Sequence, residues 1–233
     1  MPLDAAEMKR IVAEKAVDSY VKDGMNVGLG TGSTAYYAIR RIGQLVNENG
    51  YDLTCVATSV KSEELAKGFG VRVVDLDEVD KLDVTIDGAD EIDPKMNLVK
   101  GLGGALLREK IVAAATVREV IVADSSKIVE KLGTKAPLPV EVLRFGHEHT
   151  RNALRMQRCE PVLRMDGDRP FVTDGGNYIY DCRFPEGIDN PFFIESRIDV
   201  IPGVVENGLF LNTAFEALVC DSEGNVRKMS EKA

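Results

Sequence analysis

The chain is predicted to be α/β: a mostly parallel sheet with helices on both faces, followed late in the sequence by a small ferredoxin-like α+β domain. Two observations predict it. Up to residue 123, short apolar runs alternate with stretches of helical period, a succession that builds a parallel sheet covered on both faces. Beyond Pro137 the order becomes β-α-β, a hairpin and α-β within about 75 residues, the succession of a small split β-α-β domain.

The elements follow in order. Residues 4–21 place Met8, Ile11, Val12 and Ala16 on one helical face. A strand at 25–29, a glycine turn and a helix at 34–46 come next, then a strand at 53–57, a helix at 62–68 and a strand at 71–74. Residues 84–86 form a strand, 105–117 a helix and 119–123 (EVIVA) a strand. Past Pro137 the expected order is strand 138–145, helix 150–158 and strand 161–165. Strands 171–173 and 178–182 are expected to pair across Asp174-Gly175-Gly176-Asn177, a hairpin signal. Helix 191–200 and strand 204–211 complete the insert, and 215–219 returns to the main sheet. Residues 1–134 with 212–233 therefore form the main domain and 135–211 the small one.

At 233 residues, 44% hydrophobic and 29% charged, the chain has the composition of an ordinary globular protein. Its net charge of −9 argues against nucleic-acid and anionic-membrane partners, which need a basic footprint. Anionic small molecules stay open, because a local pocket can oppose the global sign. MPLDAAEMKR lacks the apolar stretch of a signal peptide, and no apolar run nears the ~18 residues of a membrane span. Cys55, Cys159, Cys182 and Cys220 form no C-x-x-C pair, so reduced thiols in a cytoplasm are expected and zinc is not.

The chemistry concentrates in LDVTIDGADEIDPKMNLVKGLGGALLREK, residues 82–110. Asp87, Asp90, Glu91 and Asp93 follow an apolar strand, and Lys100 precedes the turn Gly101, Gly103 and Gly104. Open α/β sheets bind ligands beyond the carboxyl ends of their strands, where Asp87 and Asp90 fall, so the segment reads as an active site that moves protons. A solvated turn is the plain alternative. Clustered carboxylates also suit hard cations, but the EF-hand ligand order is absent. His147 and His149 are distant in sequence and read as surface residues.

VGLGTGSTA, residues 27–35, is a strand, a glycine turn and a helix start. Gly28, Gly30 and Gly32 let backbone N–H groups converge, and Ser33 and Thr34 add hydroxyls at the helix N-terminus, an anion cradle that needs no basic side chain. From Gly30 it also fits G-x-G-x-x-A, but Ala57-Thr58-Ser59 offers no acid for a ribose hydroxyl. A tight βα turn is the alternative; the hydroxyls favour a monophosphate.

Between 101 and 115 every residue is apolar or glycine except Arg108, Glu109 and Lys110. Three consecutive helical positions span about 200°, so one of them meets the buried face unless all three stay solvated. If it is Glu109, desolvation raises its pKa toward that of a general base. Periodicity leaves open which one points inward.

Taken in order, GLGTGSTA, TIDGADEID, KGLGGALLREKI, ADSSK, PLPVEV and PGVVENGLF resemble the type A family of ribose-5-phosphate isomerases over nearly the whole chain. DGADEI followed by KGxGGAxxREK is its most specific part. The resemblance implies a Rossmann-like domain with a small α+β domain used in oligomer contacts, in a homodimer or homotetramer. It implies interconversion of D-ribose 5-phosphate and D-ribulose 5-phosphate in the non-oxidative pentose phosphate pathway, without metal or organic cofactor. Thr31, Gly32, Ser33 and Thr34 match the family's substrate loop, and Asp87, Gly88, Ala89 and Asp90 its acidic substrate loop. Lys100, Gly101, Leu102 and Gly103 match its lysine-glycine loop, Glu109 its proton acceptor, and Lys127 a substrate-binding lysine. Leu102 and Gly104 stand where some members have Gly and Ala, which removes no functional group. Two rivals are an amino-sugar-phosphate deaminase on a related fold and a non-catalytic sugar-phosphate sensor. The sensor reading leaves Glu109 idle and calls for a helix-turn-helix that the strand at 25–29 leaves no room for.

Overall fold

The computed structural model describes residues 2–230. Its elements begin α1 (Ala5–Tyr20), β1 (Asn26–Leu29), α2 (Ser33–Asn49), β2 (Thr54–Ala57), α3 (Val60–Gly68) and β3 (Val84–Gly88). Then come β4 (Glu91–Ile92), β5 (Leu98–Val99), α4 (Leu106–Ala114), β6 (Glu119–Asp124), β7 (Leu138–Val142), α5 (His147–Arg155) and β8 (Glu160–Leu163). The rest are β9 (Met165–Asp166), β10 (Arg169–Pro170), β11 (Tyr178–Arg183), α6 (Pro191–Ile198), β12 (Val204–Asn207), β13 (Leu209–Phe210), β14 (Ala214–Cys220) and β15 (Val226–Met229). They fall into two compact units. The first takes the described residues of Met1–Ala89, Arg108–Lys127 and Thr213–Ala233; the second takes Asp90–Leu107 and Ile128–Asn212.

The first unit is built on a six-stranded sheet of order β15-β14-β6-β3-β1-β2, parallel throughout except for β15. Side chains alternate across a strand, and Val27, Leu29, Val84, Ile86, Val120, Val122 and Leu218 share a core with Val12, Ala16 and Val17 of α1 and Ile39 and Ile42 of α2. Val56 and Leu82 instead pack with Val112 of α4, so helices cover both faces, as the alternating pattern predicts. Asp4 caps α1 by accepting the Glu7 N–H at 2.8 Å. The chain runs from β1 to β2 on one side and returns to β3 on the other. The carboxyl ends of β1 and β3 therefore flank a topological switch point, the usual crevice for a ligand.

In the first unit two segments depart from expectation. Residues 71–74 make only one bridge, Val73 to Cys55, rather than a strand. The Val71 N–H is taken by Ala66 O at the end of α3, and at Asp75 the chain turns into a short 3-10 helix whose Glu78 accepts the Asp75 N–H. β15 was not foreseen, because it is a mostly exposed edge strand with little alternation to read.

In the second unit β7-α5-β8-β11-α6-β12 follow in sequence and the sheet order is β12-β7-β11-β8, antiparallel throughout. That is the ferredoxin-like arrangement. Leu154 of α5 and Ile198 of α6 close its core over Val140, Tyr180 and Cys182. α5 starts at His147, earlier than periodicity suggested, after Gly146 in the left-handed region (φ 70). Residues 171–173 form no strand. The hairpin closes earlier, between β9 and β10, while Asp174–Asn177 folds on itself through Gly176 N–H to Thr173 O (2.8 Å) and Thr173 N–H to Asn177 O (3.0 Å).

The run expected at 204–211 splits at Gly208, with β12 on β7 and β13 on β5. A Cβ at Gly208 would lie 2.3 Å from the Lys100 carbonyl oxygen, so only glycine permits that approach. β4, β5 and β13 make a separate three-stranded sheet.

Candidate active site

In the first unit, β1 delivers the Gly30–Thr34 turn and β3 delivers Asp87. The Gly30 N–H donates to Ile86 O at 3.0 Å, and a Cβ at Gly30 would lie 2.1 Å from Asp87 Oδ1. This contact requires the glycine. Asp87, 1% exposed, accepts the N–H groups of Thr31 (3.0 Å) and Gly88 (2.7 Å) on that same Oδ1. The carboxylate is thus held by backbone donors at the switch point, and Ala89 follows at the end of this stretch of the unit.

Gly32, at φ 110, is the N-cap of α2, so the peptides of Ser33 and Thr34 sit in its first turn. The free N–H groups of a helix start and its dipole favour an anion. The Ser33 hydroxyl accepts from Lys9 Nζ of α1 at 3.0 Å, which adds a cation. Thr31 is engaged differently. Its hydroxyl lies 2.7 Å from that of Thr58, 2.8 Å from that of Ser59 and 3.2 Å from that of Ser62, and Ser62 donates to Gly30 O at 2.8 Å. The Thr31 side chain braces the turn. A cleft of about 910 Å³ opens beside it, lined by Lys9, Gly32, Ser33, Tyr36, Lys61 and Ser62 among others.

On α4, Arg108 is exposed, Lys110 half-buried and Glu109 buried, at 4% exposure, so the glutamate is the residue that turns inward. Lys127 is half-buried in the 3-10 turn Ser125–Lys127, which begins where Asp124 at the end of β6 accepts the Ser126 N–H at 3.0 Å.

In the second unit, Asp90 donates its N–H to Val99 O (2.8 Å) and accepts the Leu102 N–H on Oδ2 (2.9 Å). Lys100 is 1% exposed, with Nζ 5.3 Å from the Phe210 ring centroid and its own N–H bonded to Gly208 O at 2.9 Å. Gly101 and Gly104 both have positive φ, 101° and 83°, while Leu102 and Gly103 are exposed at the tip. Glu91, fully buried, accepts the N–H groups of Gly133, Lys135 and Ala136. It braces the 133–136 loop.

Sequence reading missed Lys9, the Thr58–Ser59–Ser62 hydroxyl set and the bracing role of Glu91. Thr58 and Ser59 directly follow β2 at the carboxyl edge of the sheet, and that position was the available signal. A single lysine on an amphipathic helix gives none. Among the described residues, no three His, Cys, Asp or Glu side chains are grouped to hold a metal ion. His147 Nδ1 lies 2.8 Å from the Tyr180 hydroxyl in the second unit.

The family model for ribose 5-phosphate isomerase A (phosphoriboisomerase A) matches residues 54–224. The ribose-5-phosphate isomerase A of Dinoroseobacter shibae is 48% identical over 232 residues, covering 97% of this chain and 87% of that protein. A solved ribose 5-phosphate isomerase from Plasmodium falciparum superposes with a TM-score of 0.94 at 38% identity, covering 98% of this chain and 100% of its own. A D-ribose-5-phosphate isomerase solved in complex with phospho-erythronic acid gives a TM-score of 0.93 at 37% identity, again covering 98% and 100%. With most of its length matched at this identity, the chain belongs to the ribose 5-phosphate isomerase A family.

Proposed function

We propose that the chain interconverts D-ribose 5-phosphate and D-ribulose 5-phosphate, the isomerisation of its family, with Glu109 as the general base. The observation that carries this reading is the burial of Glu109 between an exposed arginine and a half-buried lysine. Burying a carboxylate is costly, and a base that works near neutral pH is a use that repays it.

In this mechanism Asp87 assists ring opening of the sugar. Glu109 then takes the proton from C2, and the electron pair of that C–H bond forms the C1–C2 double bond of an enediol(ate). Charge develops on the C1 oxygen, where Lys100 and N–H groups of its loop stabilise it. Glu109 returns the proton to C1 while the proton of the C2 hydroxyl passes to the C1 oxygen, leaving the ketose. Asp87 and Asp90 orient the sugar hydroxyls and move their protons. The Gly32–Thr34 helix start holds the phosphate, with Lys9 and Lys127 supplying positive charge. Gly88, Ala89, Gly101, Leu102 and Gly103 shape the substrate's walls. Both proton transfers are accounted for by these groups, so the step is proposed to need neither metal nor organic cofactor.

The working assembly is proposed to be a homodimer or homotetramer with contacts made by the small domain, residues 135–211, whose Phe145 is 95% exposed. The chain is proposed to work in the cytoplasm, a reading that its four free cysteines support. Among the described residues no helix is long and apolar enough to cross a membrane. The test of the function is turnover of ribose 5-phosphate by the purified protein in the presence of EDTA. Ribulose 5-phosphate should accumulate to equilibrium. Activity that vanishes with the chelator and returns with a divalent cation would overturn the mechanism.

A further inference from the structure

We propose that Arg164 is a positioning residue for the reaction, clamping the Gly101–Leu102 turn so that Lys100 is held at a fixed place. The inference rests on the reading of Lys100 given above and lies within the second unit.

Three features carry it. The first is the geometry of the guanidinium. Arg164 follows β8, and its Nη1 donates to the carbonyl oxygens of Gly101 (3.0 Å) and Leu102 (3.2 Å). Its Nε donates to Asp181 Oδ2 at 2.9 Å and its Nη2 to Asp181 Oδ1. One edge of the planar fork is thus spent on a carboxylate of β11 and the other on two successive carbonyls of the turn. A lysine ammonium cannot hold both sets in that plane.

The second feature is that the turn is poorly determined from within. Gly101 and Gly104 adopt positive φ and Gly103 lies between them, so the loop carries the backbone freedom that glycine brings. Its own bonds here are few: Gly104 N–H to Gly101 O at 3.0 Å and Leu102 N–H to Asp90 Oδ2 at 2.9 Å. Arg164 supplies donors to two carbonyls that these bonds leave over or share.

The third is the packing around the clamp. The guanidinium carbon lies 5.8 Å from the Phe171 ring centroid, and the Phe171 N–H bonds back to Arg164 O at 2.9 Å. A Cβ at Gly104 would lie 2.4 Å from Phe171 Cζ, so the ring rests directly on the far end of the loop. The Arg164 side chain is 12% exposed and that of Asp181 22%, which shields the pair from much of the solvent screening that weakens surface ion pairs. Arg164, Asp181 and Phe171 therefore form one support behind the lysine-glycine loop.

The experiment measures kcat, KM and the unfolding midpoint for Arg164→Ala, Arg164→Lys, Asp181→Asn, Lys100→Ala and the Arg164→Ala/Lys100→Ala double variant. A displaced catalytic group lowers kcat with little change in phosphate binding, so Arg164→Ala should lose roughly 10–100-fold in kcat at near wild-type KM. Arg164→Lys and Asp181→Asn should fall between it and wild type. With Lys100 absent the charged group that the turn positions is gone and only the loop's N–H groups and walls remain, so Arg164→Ala should cost several-fold less in the Lys100→Ala background than in wild type, the non-additivity of coupled groups. A purely structural residue would shift the unfolding midpoint and leave kcat per folded molecule unchanged, and that result overturns the clamp. Full additivity in the double variant overturns it equally. If Arg164→Ala does not fold, Arg164→Lys with and without Lys100→Ala decides by the same criteria. Wild-type turnover in Lys100→Ala removes the reading of Lys100 and the clamp with it, whereas loss there with unimpaired Arg164 variants removes the clamp alone.

Discussion

Glu109 shows what a single residue's context can reveal. The stretch 101–115 is apolar or glycine except for three charged positions, a pattern that fits either one inward-facing charge or a solvated triplet and does not say which of the three would turn inward. The structure buries the glutamate and exposes the arginine. Substituting Glu109→Gln keeps shape and volume while removing the base, so fold and sugar-phosphate binding should survive. Steady-state kinetics should show kcat lower by at least the ~10²–10⁴-fold associated with losing a general base. Exchange of substrate hydrogen with solvent deuterium, followed by NMR, should disappear with it. A folded Gln variant within a few fold of wild type would remove Glu109 from the role. At the other end of the substrate, Ser33→Ala with Thr34→Ala should act chiefly on KM, because the phosphate is gripped equally in ground and transition states. Each lost hydrogen bond to a charged partner is worth roughly 1.5–3 kcal/mol. An unchanged KM in the folded double variant would put the phosphate elsewhere.

At the scale of elements, the parallel sheet was readable because its strands carry short apolar runs bounded by turn residues, as in Val120–Ala123. Pieces of two residues such as β4 and β5 are too short to show any period. The failures at 171–173 and 204–211 have one cause: their pairing is decided by tertiary contacts. Gly208 must pass against the Lys100 carbonyl, and Thr173 is drawn to Glu141, whose Oε1 accepts its hydroxyl at 2.8 Å and Asn177 Nδ2 at 2.9 Å. Burial raises the pKa of Glu141, partly opposed by those hydrogen bonds.

A carboxyl whose folded pKa is raised binds its proton more tightly when folded. Its contribution is therefore most favourable below the unfolded value, about 4.3, and is lost as pH rises through the folded value. Glu141→Gln can keep both hydrogen bonds through Oε1 without a buried charge. Denaturant titrations should find it as stable as wild type or more so at pH 7, with a flatter pH dependence just above 4.3. A marked loss at pH 7 would show that the carboxylate's charge is needed there. The β1–α2 turn gives a contrasting case. Gly30→Ala must displace Asp87, whose Cα would lie 2.6 Å from the new Cβ, whereas Gly32→Ala meets nothing within 4 Å but must hold φ 110. Overpacking at Gly30 should cost about 1–3 kcal/mol and lower kcat/KM by moving Asp87. Equal activity of Gly30→Ala and wild type would show that Asp87 tolerates displacement.

For the whole molecule, periodicity located the change of pattern near Pro137 but could not read how the chain is shared between units. Residues 90–107 join the second unit through pairings such as Leu98 with Phe210, a contact with no local signature. The cysteines offer a way to measure whether each unit behaves as one body. Cys55 on β2 and Cys220 on β14 lie in one core, and Cys159 and Cys182 lie in the other. Thiol reagents attack the thiolate, and burial pushes Cys55 up to about 12 and raises Cys220, so at neutral pH labelling of either must wait for the structure to open. β2 and β14 are separated in the sheet by β1, β3 and β6, and a unit that opens cooperatively exposes both together. Labelling across a denaturant series, read by mass spectrometry of peptides, should therefore give Cys55 and Cys220 a common midpoint and a common slope. If Cys220 becomes reactive at concentrations where Cys55 is still protected, the β14 side of the sheet opens independently, and the six strands are not a single cooperative unit.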